Sequence, residues 1–324
     1  QQIGVNGGTG IVATQASKGL KGTDPARYGS LHHPGDQYSL DMYTQIAQAL
    51  RTPGAVDALG SLKPKKVIAV GESQSAFELT TYINAIQPTT HVFDGFFIHS
   101  RGGGAAELEG GNASSAGTSG GIHIRTDTTV PVLMFETETD EALLGYFQAR
   151  QPDTDKIRLW DVTGGAHADT WISGPGASLL HCAGEANMAP THFVADAALL
   201  ALENWINTGT PPPSEPRMDV QLENGKPVVQ RDARGIGIGG IRTAAITEPV
   251  AAYSGVPADT SSVICALFGS THRFDAATVK QQYPTKADYT AKFTTATNAD
   301  IQAGYVLPAD RDAFIAAGVA MYPS

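Results

Sequence analysis

A mostly parallel α/β sheet covered by helices on both faces is the fold class that this 324-residue sequence predicts. Three observations carry that expectation. Short apolar runs alternate with stretches of helical periodicity. The runs are continuous in hydrophobicity, as strands buried on both faces must be. The polar residues with chemical potential fall just past the runs, and in such sheets ligands meet the carboxyl ends of the strands.

In chain order, the first forty residues are rich in Gly and turn formers and read as loop, with one short strand at most. Leu40, Tyr43, Ile46, Ala47 and Leu50 recur at helical spacing, which predicts a helix ending near Arg51 with Ser39 as its N-cap. Val67–Val70 reads as a strand, Ala76–Ile86 as a helix and Val92–Ile98 as a second strand. Gly102–Gly121 is Gly/Ala/Ser-rich without periodicity and reads as a mobile or ligand-covering loop. Pro131–Phe135 and Ile157–Val162 follow as strands, then His192–Asn207 as an amphipathic helix stopped by Thr208-Gly209 and Pro211–Pro213. That stop divides the chain into a core over 1–213 and a C-terminal extension over 214–324 packing on the core. Within the extension, Met218–Val229 alternates on either side of Asn224-Gly225, a hairpin signal, and Asp288–Ala303 reads as helical.

Composition narrows the function classes. The net charge is −10, with Lys and Arg scattered, so the electrostatic footprint of a nucleic-acid binder is missing. No run approaches the length of a membrane span. Two cysteines exclude a disulfide-dense scaffold and a Cys-rich metal site; a bond between Cys182 and Cys265 would tie the extension to the loop that follows His167. H-E-x-x-H is absent and His32-His33 are adjacent, so no metal is expected. The 36 Gly, 19 Pro and few charges suit a secreted or periplasmic protein, while the start at Gln1 leaves localisation open.

The chemistry lies at three strand ends. Ser73, in G-E-S-Q-S over 71–75, follows a strand and precedes a helix, the strand–turn–helix setting of a nucleophile elbow. Gly71 and small Ser75 let that turn close, although Ser75 stands where the usual pattern has Gly. The competing reading is a serine that merely caps a helix. A serine hydroxyl needs a base and an orienting acid. Glu136-Thr137-Glu138-Thr139-Asp140 and Thr163-Gly164-Gly165-Ala166-His167 follow the next two strands, in the order Ser, acid, His. Taken singly, His167 reads as a satisfied loop histidine and the acids as a solvated cluster or a cap for the next helix. Together they read as a nucleophile with its base and acid. Asp140 is the first choice of acid because it lies five residues beyond Phe135, and Glu138 is its rival. Arg101, past the second strand, either binds a substrate carboxylate or oxygen or pairs with a structural acid.

These stretches resemble a family of α/β-hydrolase-domain proteins, presumed serine esterases. The likeness runs through G-L-K-G-T-D-P-A-R-Y-G-S-L-H-H-P-G-D at 19–36, G-E-S-Q-S at 71–75, F-I-H-S-R-G-G-G-A at 97–105 and E-T-E-T-D at 136–140. It continues in G-G-A-H-A-D-T at 164–170, T-H-F-V at 191–194, G-G-I-R-T at 239–243 and L-F-G-S-T at 267–271. The resemblance implies the α/β-hydrolase fold, Ser73 as nucleophile and His167 as base. The function so implied is cofactor-independent cleavage of a small-molecule carboxylic ester through an acyl-enzyme. A non-catalytic binding or scaffold protein on the same fold, and an acyltransferase using the same residues, are the alternatives. The backbone N–H of Gln74 is the expected oxyanion donor, with a second donor normally supplied from a loop near earlier strands. Most residues before Val67 read as loop, so those earlier strands look missing. The expectation is therefore a C-terminal portion of a longer member, needing its N-terminal segment, continuous or associated, for solubility and activity.

Overall fold

The computed structural model describes residues 18–52, 54, 57–108, 120–174 and 182–324. Any strand before Lys18 lies outside these residues, as does most of the Gly102–Gly121 loop. Four parallel strands form the central sheet in the order β1-β2-β3-β4: β1 (Ile68–Glu72), β2 (Gly95–His99), β3 (Val132–Thr137) and β4 (Ile157–Val162). This is the parallel α/β arrangement read from the sequence, with each strand leading to a helix or a functional loop.

Burial explains the order. Every residue of β3 is buried, as an apolar run in the middle of a covered sheet requires. One face packs Ala69, Phe96, Ile98, Met134 and Leu159 against helices α1 (Ser39–Arg51) and α2 (Gln74–Thr81). Helix α3 (Glu138–Ala142) continues directly from β3. The other face packs Phe97, Leu133, Phe135 and Trp160 against α4 (Thr191–Thr208), whose Val194, Ala197, Ala198, Leu202 and Trp205 recur at helical spacing. Strand β1 differs from the expectation of burial on both faces. Among the described residues it stands at one end of the sheet, and Val70 is exposed on it.

Several boundaries moved for identifiable reasons. Strand β1 runs through Gly71 to Glu72 because parallel pairing with β2 continues to Glu72 opposite His99 after the apolar run has ended. Ser39 is the first residue of α1, and Tyr38 is the N-cap, because a short 3₁₀ turn over Asp36–Tyr38 feeds the helix. The single helix expected over Ala76–Ile86 is α2 followed by a wider π-turn at Tyr82–Ile86 and a last turn at Gln87–Thr90. Pro88 lacks an N–H and crowds the carbonyl of the preceding turn, which the wider turn accommodates. Helix α4 ends at Gly209, with φ 76°, as the Thr-Gly-Thr-Pro punctuation indicates.

Beyond α4 the chain returns to the sheet. Ile241 pairs in parallel with Val162, its N–H donating to the Asp161 carbonyl at 2.7 Å, so the extension continues the sheet past β4. The hairpin β5 (Val220–Glu223) and β6 (Lys226–Val229) turns at Asn224 and Gly225, both with positive φ, as its Asn-Gly turn demands. An antiparallel pair, β7 (Ala251–Ser254) and β8 (Ser270–Arg273), packs with α5 (Lys286–Ala303) and α6 (Arg311–Ala320) in a separate core containing Tyr283, Tyr289, Phe293 and Phe314. Thr285 and Asp288 form a capping box at the start of α5. Among the described residues no helix is long and apolar enough to cross a membrane.

Cys182 and Cys265 form a disulfide across 83 residues, with Cα atoms 5.5 Å apart. The segment carrying Cys265 also holds the chain after β4, because the Leu267 and Phe268 carbonyls accept from the N–H groups of Ala168 and Asn187. Cross-linking a loop of this length removes unfolded-state entropy worth roughly 4 kcal/mol in the chain-entropy model. Reduction, or a paired Cys182→Ser and Cys265→Ser change, is expected to lower the melting temperature by several degrees. Two free thiols counted under denaturing, non-reducing conditions would contradict the bond.

Candidate active site

The site forms where β1, β3 and β4 end. Ser73 leaves β1 in a left-handed conformation, φ 55° and ψ −119°, and α2 begins at the next residue. The turn is tight enough that a Cβ on Gly71 would lie 2.6 Å from the Ser75 carbonyl oxygen. Although Ser73 occupies the N-cap position, its side chain makes no capping hydrogen bond. Its Oγ lies 2.8 Å from His167 Nε2 instead. The elbow is anchored from below, since the Ser73 N–H donates to the His99 carbonyl at 3.0 Å.

His167 follows β4 across Gly164, whose φ of 81° turns the chain back over the sheet. Its Nδ1 lies 2.7 Å from Asp140 Oδ1. A carboxylate only accepts, so Nδ1 carries the proton and Nε2 is left to accept from the Ser73 hydroxyl. Asp140 is fixed through its other oxygen: Oδ2 accepts from the Thr137 N–H at 2.8 Å and the Thr137 hydroxyl at 2.6 Å. That capping box at the start of α3 is the Thr-x-x-Asp of E-T-E-T-D, so Asp140 is a cap for the helix, as one reading of these acids has it, and also the partner of His167.

Electrostatics favour a strong base here. Burial opposes protonation of His167, but the hydrogen bond and charge of Asp140, with the charge of Glu72, raise its pKa above the ordinary 6.5. Glu72 Oε1 lies 4.0 Å from His167 Nε2, a neighbour the sequence reading did not assign. His99, at the end of β2, is held neutral by burial, with its pKa pushed down to about 4.

Two sequence-predicted site residues are placed elsewhere. Glu138 is engaged away from His167: Oε1 accepts from the Gly164 N–H at 2.8 Å, and Oε2 accepts from the Gly255 N–H at 2.9 Å and from Arg231 at 2.5 Å. It braces the histidine loop against the extension. Arg101 is fully buried. It donates to the Thr80 hydroxyl at 3.0 Å and the Ile122 carbonyl at 2.6 Å, and lies over the Tyr146 ring. The chain bends inward just past β2, where Ser100 has φ 53°, so a residue read as following a strand end is drawn under the surface. Gln74 is the first residue of α2, exposed beside Ser73, and its N–H is one of the first-turn donors a helix leaves open.

A serine on a strand–helix elbow, bonded in series to a histidine and an aspartate from later strand ends, is the arrangement of the α/β hydrolases. Residues 1–316 match the family model described as an alpha/beta hydrolase domain, and the chain belongs to that family. No curated protein and no solved structure matches it.

The brace generates a stability prediction. Glu138 is 1% exposed and pairs with a largely covered Arg231. Removing one partner of such a pair leaves a buried charge uncompensated, which typically costs about 3 to 5 kcal/mol. Glu138→Gln is therefore expected to shift the denaturant midpoint down by an amount of that order. A midpoint unchanged within error would show that Glu138 is not the brace.

Proposed function

We propose that the protein is a serine hydrolase that cleaves carboxylic esters through an acyl-enzyme. The observation that carries this reading is the continuous hydrogen-bond series Asp140–His167–Ser73, at 2.7 and 2.8 Å, ending on a serine held in a left-handed elbow. Ser73 Oγ attacks the acyl carbon while its proton passes to His167 Nε2. The C–O bond to the alcohol breaks as Nε2 returns that proton to the leaving oxygen. A water then attacks the acyl-serine, giving its proton to Nε2, and the ester bond to Ser73 breaks as Oγ takes the proton back. Asp140 keeps Nδ1 protonated and stabilises the imidazolium formed in both halves. The Gln74 N–H faces the negative charge that develops on the acyl oxygen. The reaction needs no cofactor, because the nucleophile, base and acid are all side chains of this chain.

A fluorophosphonate adduct mapped by mass spectrometry tests the nucleophile. Modification of Ser73 alone, with hydrolysis of p-nitrophenyl esters abolished in Ser73→Ala, is the expected outcome. Labelling at another serine would remove the assignment.

Asp140→Asn is expected to lower kcat by several orders of magnitude; an equivalent change in a well-studied serine protease cost about 10⁴. Glu138→Gln, compared per folded molecule, should cost far less. The pH profile adds a readout with a definite sign. A base must be unprotonated to act, so kcat/KM should rise with pH through an apparent pKa above 6.5, because Asp140 and Glu72 raise that of His167 against the effect of burial. In Asp140→Asn this acid limb should move to lower pH. A limb that stays in place would mean that another group sets it.

A further inference from the structure

His167 Nε2 is the atom that hands the proton to the leaving alcohol, so the carbon bearing that oxygen must sit within a few ångströms of it. Glu72 is already there. Its Oε1 lies 4.0 Å from Nε2, and its side chain is 45% exposed, open to a ligand. The backbone fixes this position. Glu72 pairs in register with His99 across β1 and β2, and the two side chains leave the same face of the sheet.

What surrounds Glu72 does not neutralise it. His99 is the residue in register with it, its ring 4.9 Å from Phe135 in an edge-to-face contact, and it is held neutral at ordinary pH. The Arg101 guanidinium is enclosed behind the strand end and committed to Thr80 and Ile122. Asp140, on the far side of the imidazole, adds a second negative charge. In the resting state, with His167 neutral, the Glu72 carboxylate therefore stands on the leaving-group side of the imidazole, with Asp140 behind the ring. The whole chain carries a net charge of −10, a field of the same sign.

We propose that Glu72 forms a cation-selective subsite for the leaving alcohol, so that the enzyme prefers esters whose alcohol carries an ammonium group and rejects those whose alcohol carries a carboxylate. This rests on the reading of Ser73 and His167 as nucleophile and base. It adds the substrate class, which that reading leaves open. An ammonium about 5 Å from a half-exposed carboxylate gains enough for a preference of about tenfold over a neutral isostere, and a carboxylate at the same place loses a similar factor.

The test uses three acetate esters of matched size, whose alcohols carry a quaternary ammonium group, a tert-butyl group or a carboxylate. The ratios of kcat/KM are read on the alkaline side, at pH 8, because burial raises the pKa of Glu72. The expected order is ammonium, then neutral, then carboxylate, with about tenfold steps that shrink as salt shortens the screening length from about 30 Å at 0.01 M to about 3 Å at 1 M. In Glu72→Gln the ratios should collapse toward one. In Glu223→Gln, which removes the same charge from the exposed β5–β6 hairpin, they should stay. Ratios near one in the wild-type protein, or ratios that survive both salt and Glu72→Gln, overturn the inference while leaving the hydrolase reading intact. If none of the three esters is cleaved and fluorophosphonate leaves Ser73 unlabelled, the hydrolase reading falls and the inference falls with it.

Discussion

The carboxylate of Glu138 holds together parts of the chain that are far apart in sequence. One oxygen takes the Gly164 N–H in the histidine loop, and the other takes the Gly255 N–H and the Arg231 guanidinium in the C-terminal region. Three donors on one buried carboxylate satisfy its charge without water, which is the condition under which burying it is tolerable. Together with the Asn187 side chain, which donates to the Gly164 carbonyl at 2.8 Å, and the Thr163 hydroxyl, which donates to the Gly239 carbonyl, that brace fixes the loop carrying His167. Close packing enforces the brace. A Cβ on Gly255 would lie 2.5 Å from the Cβ of Glu138, and one on Gly237 would lie 2.5 Å from its Oε1.

Beneath the site lies a second layer of buried charge. Arg150 bonds Glu141 at 2.8 Å, Asp161 at 2.8 Å and the Met218 carbonyl at 3.0 Å, joining α3, β4 and the C-terminal region. Burial pushes the carboxyls of Glu141 and Asp161 up, against the pull of Arg150. Glu136 is wholly enclosed, and burial first, then the charge of Asp140, drives its pKa well above the ordinary range. That shift disfavours a second negative charge beside Asp140. The aspartate that faces His167 thus keeps the strongest local hold on the imidazole, with Glu72 as the second contributor.

Local signals made much of this legible. Strand β4 was read with its observed ends because polar turns bound it on both sides, and Asn224-Gly225 announced its hairpin through a turn only such residues take readily. Ser73, Asp140 and His167 could be proposed from sequence because each lies within a few residues of a strand end, and two cysteines allow only one pairing. What escaped was set by distant partners. Glu138 resembles a candidate acid until Gly255, 117 residues later, is placed against it. Arg101 looks like a surface cation because sequence does not show that Ser100 turns the chain inward. Glu72 adjoins Ser73 in sequence, yet its approach to His167, 95 positions away, follows from the sheet and not from spacing.

The left-handed backbone of Ser73 has an implication for how this chain can change. At φ 55° and ψ −119° a side chain is uncomfortable, and such a residue stores on the order of 1 to 3 kcal/mol that glycine would release. Ser73→Gly would thus relax the very turn that presents the hydroxyl. A laboratory selection for heat resistance alone would drift toward a molecule lacking the hydroxyl that faces His167. The elbow thus sets backbone comfort against presentation of a hydroxyl at a single torsion angle.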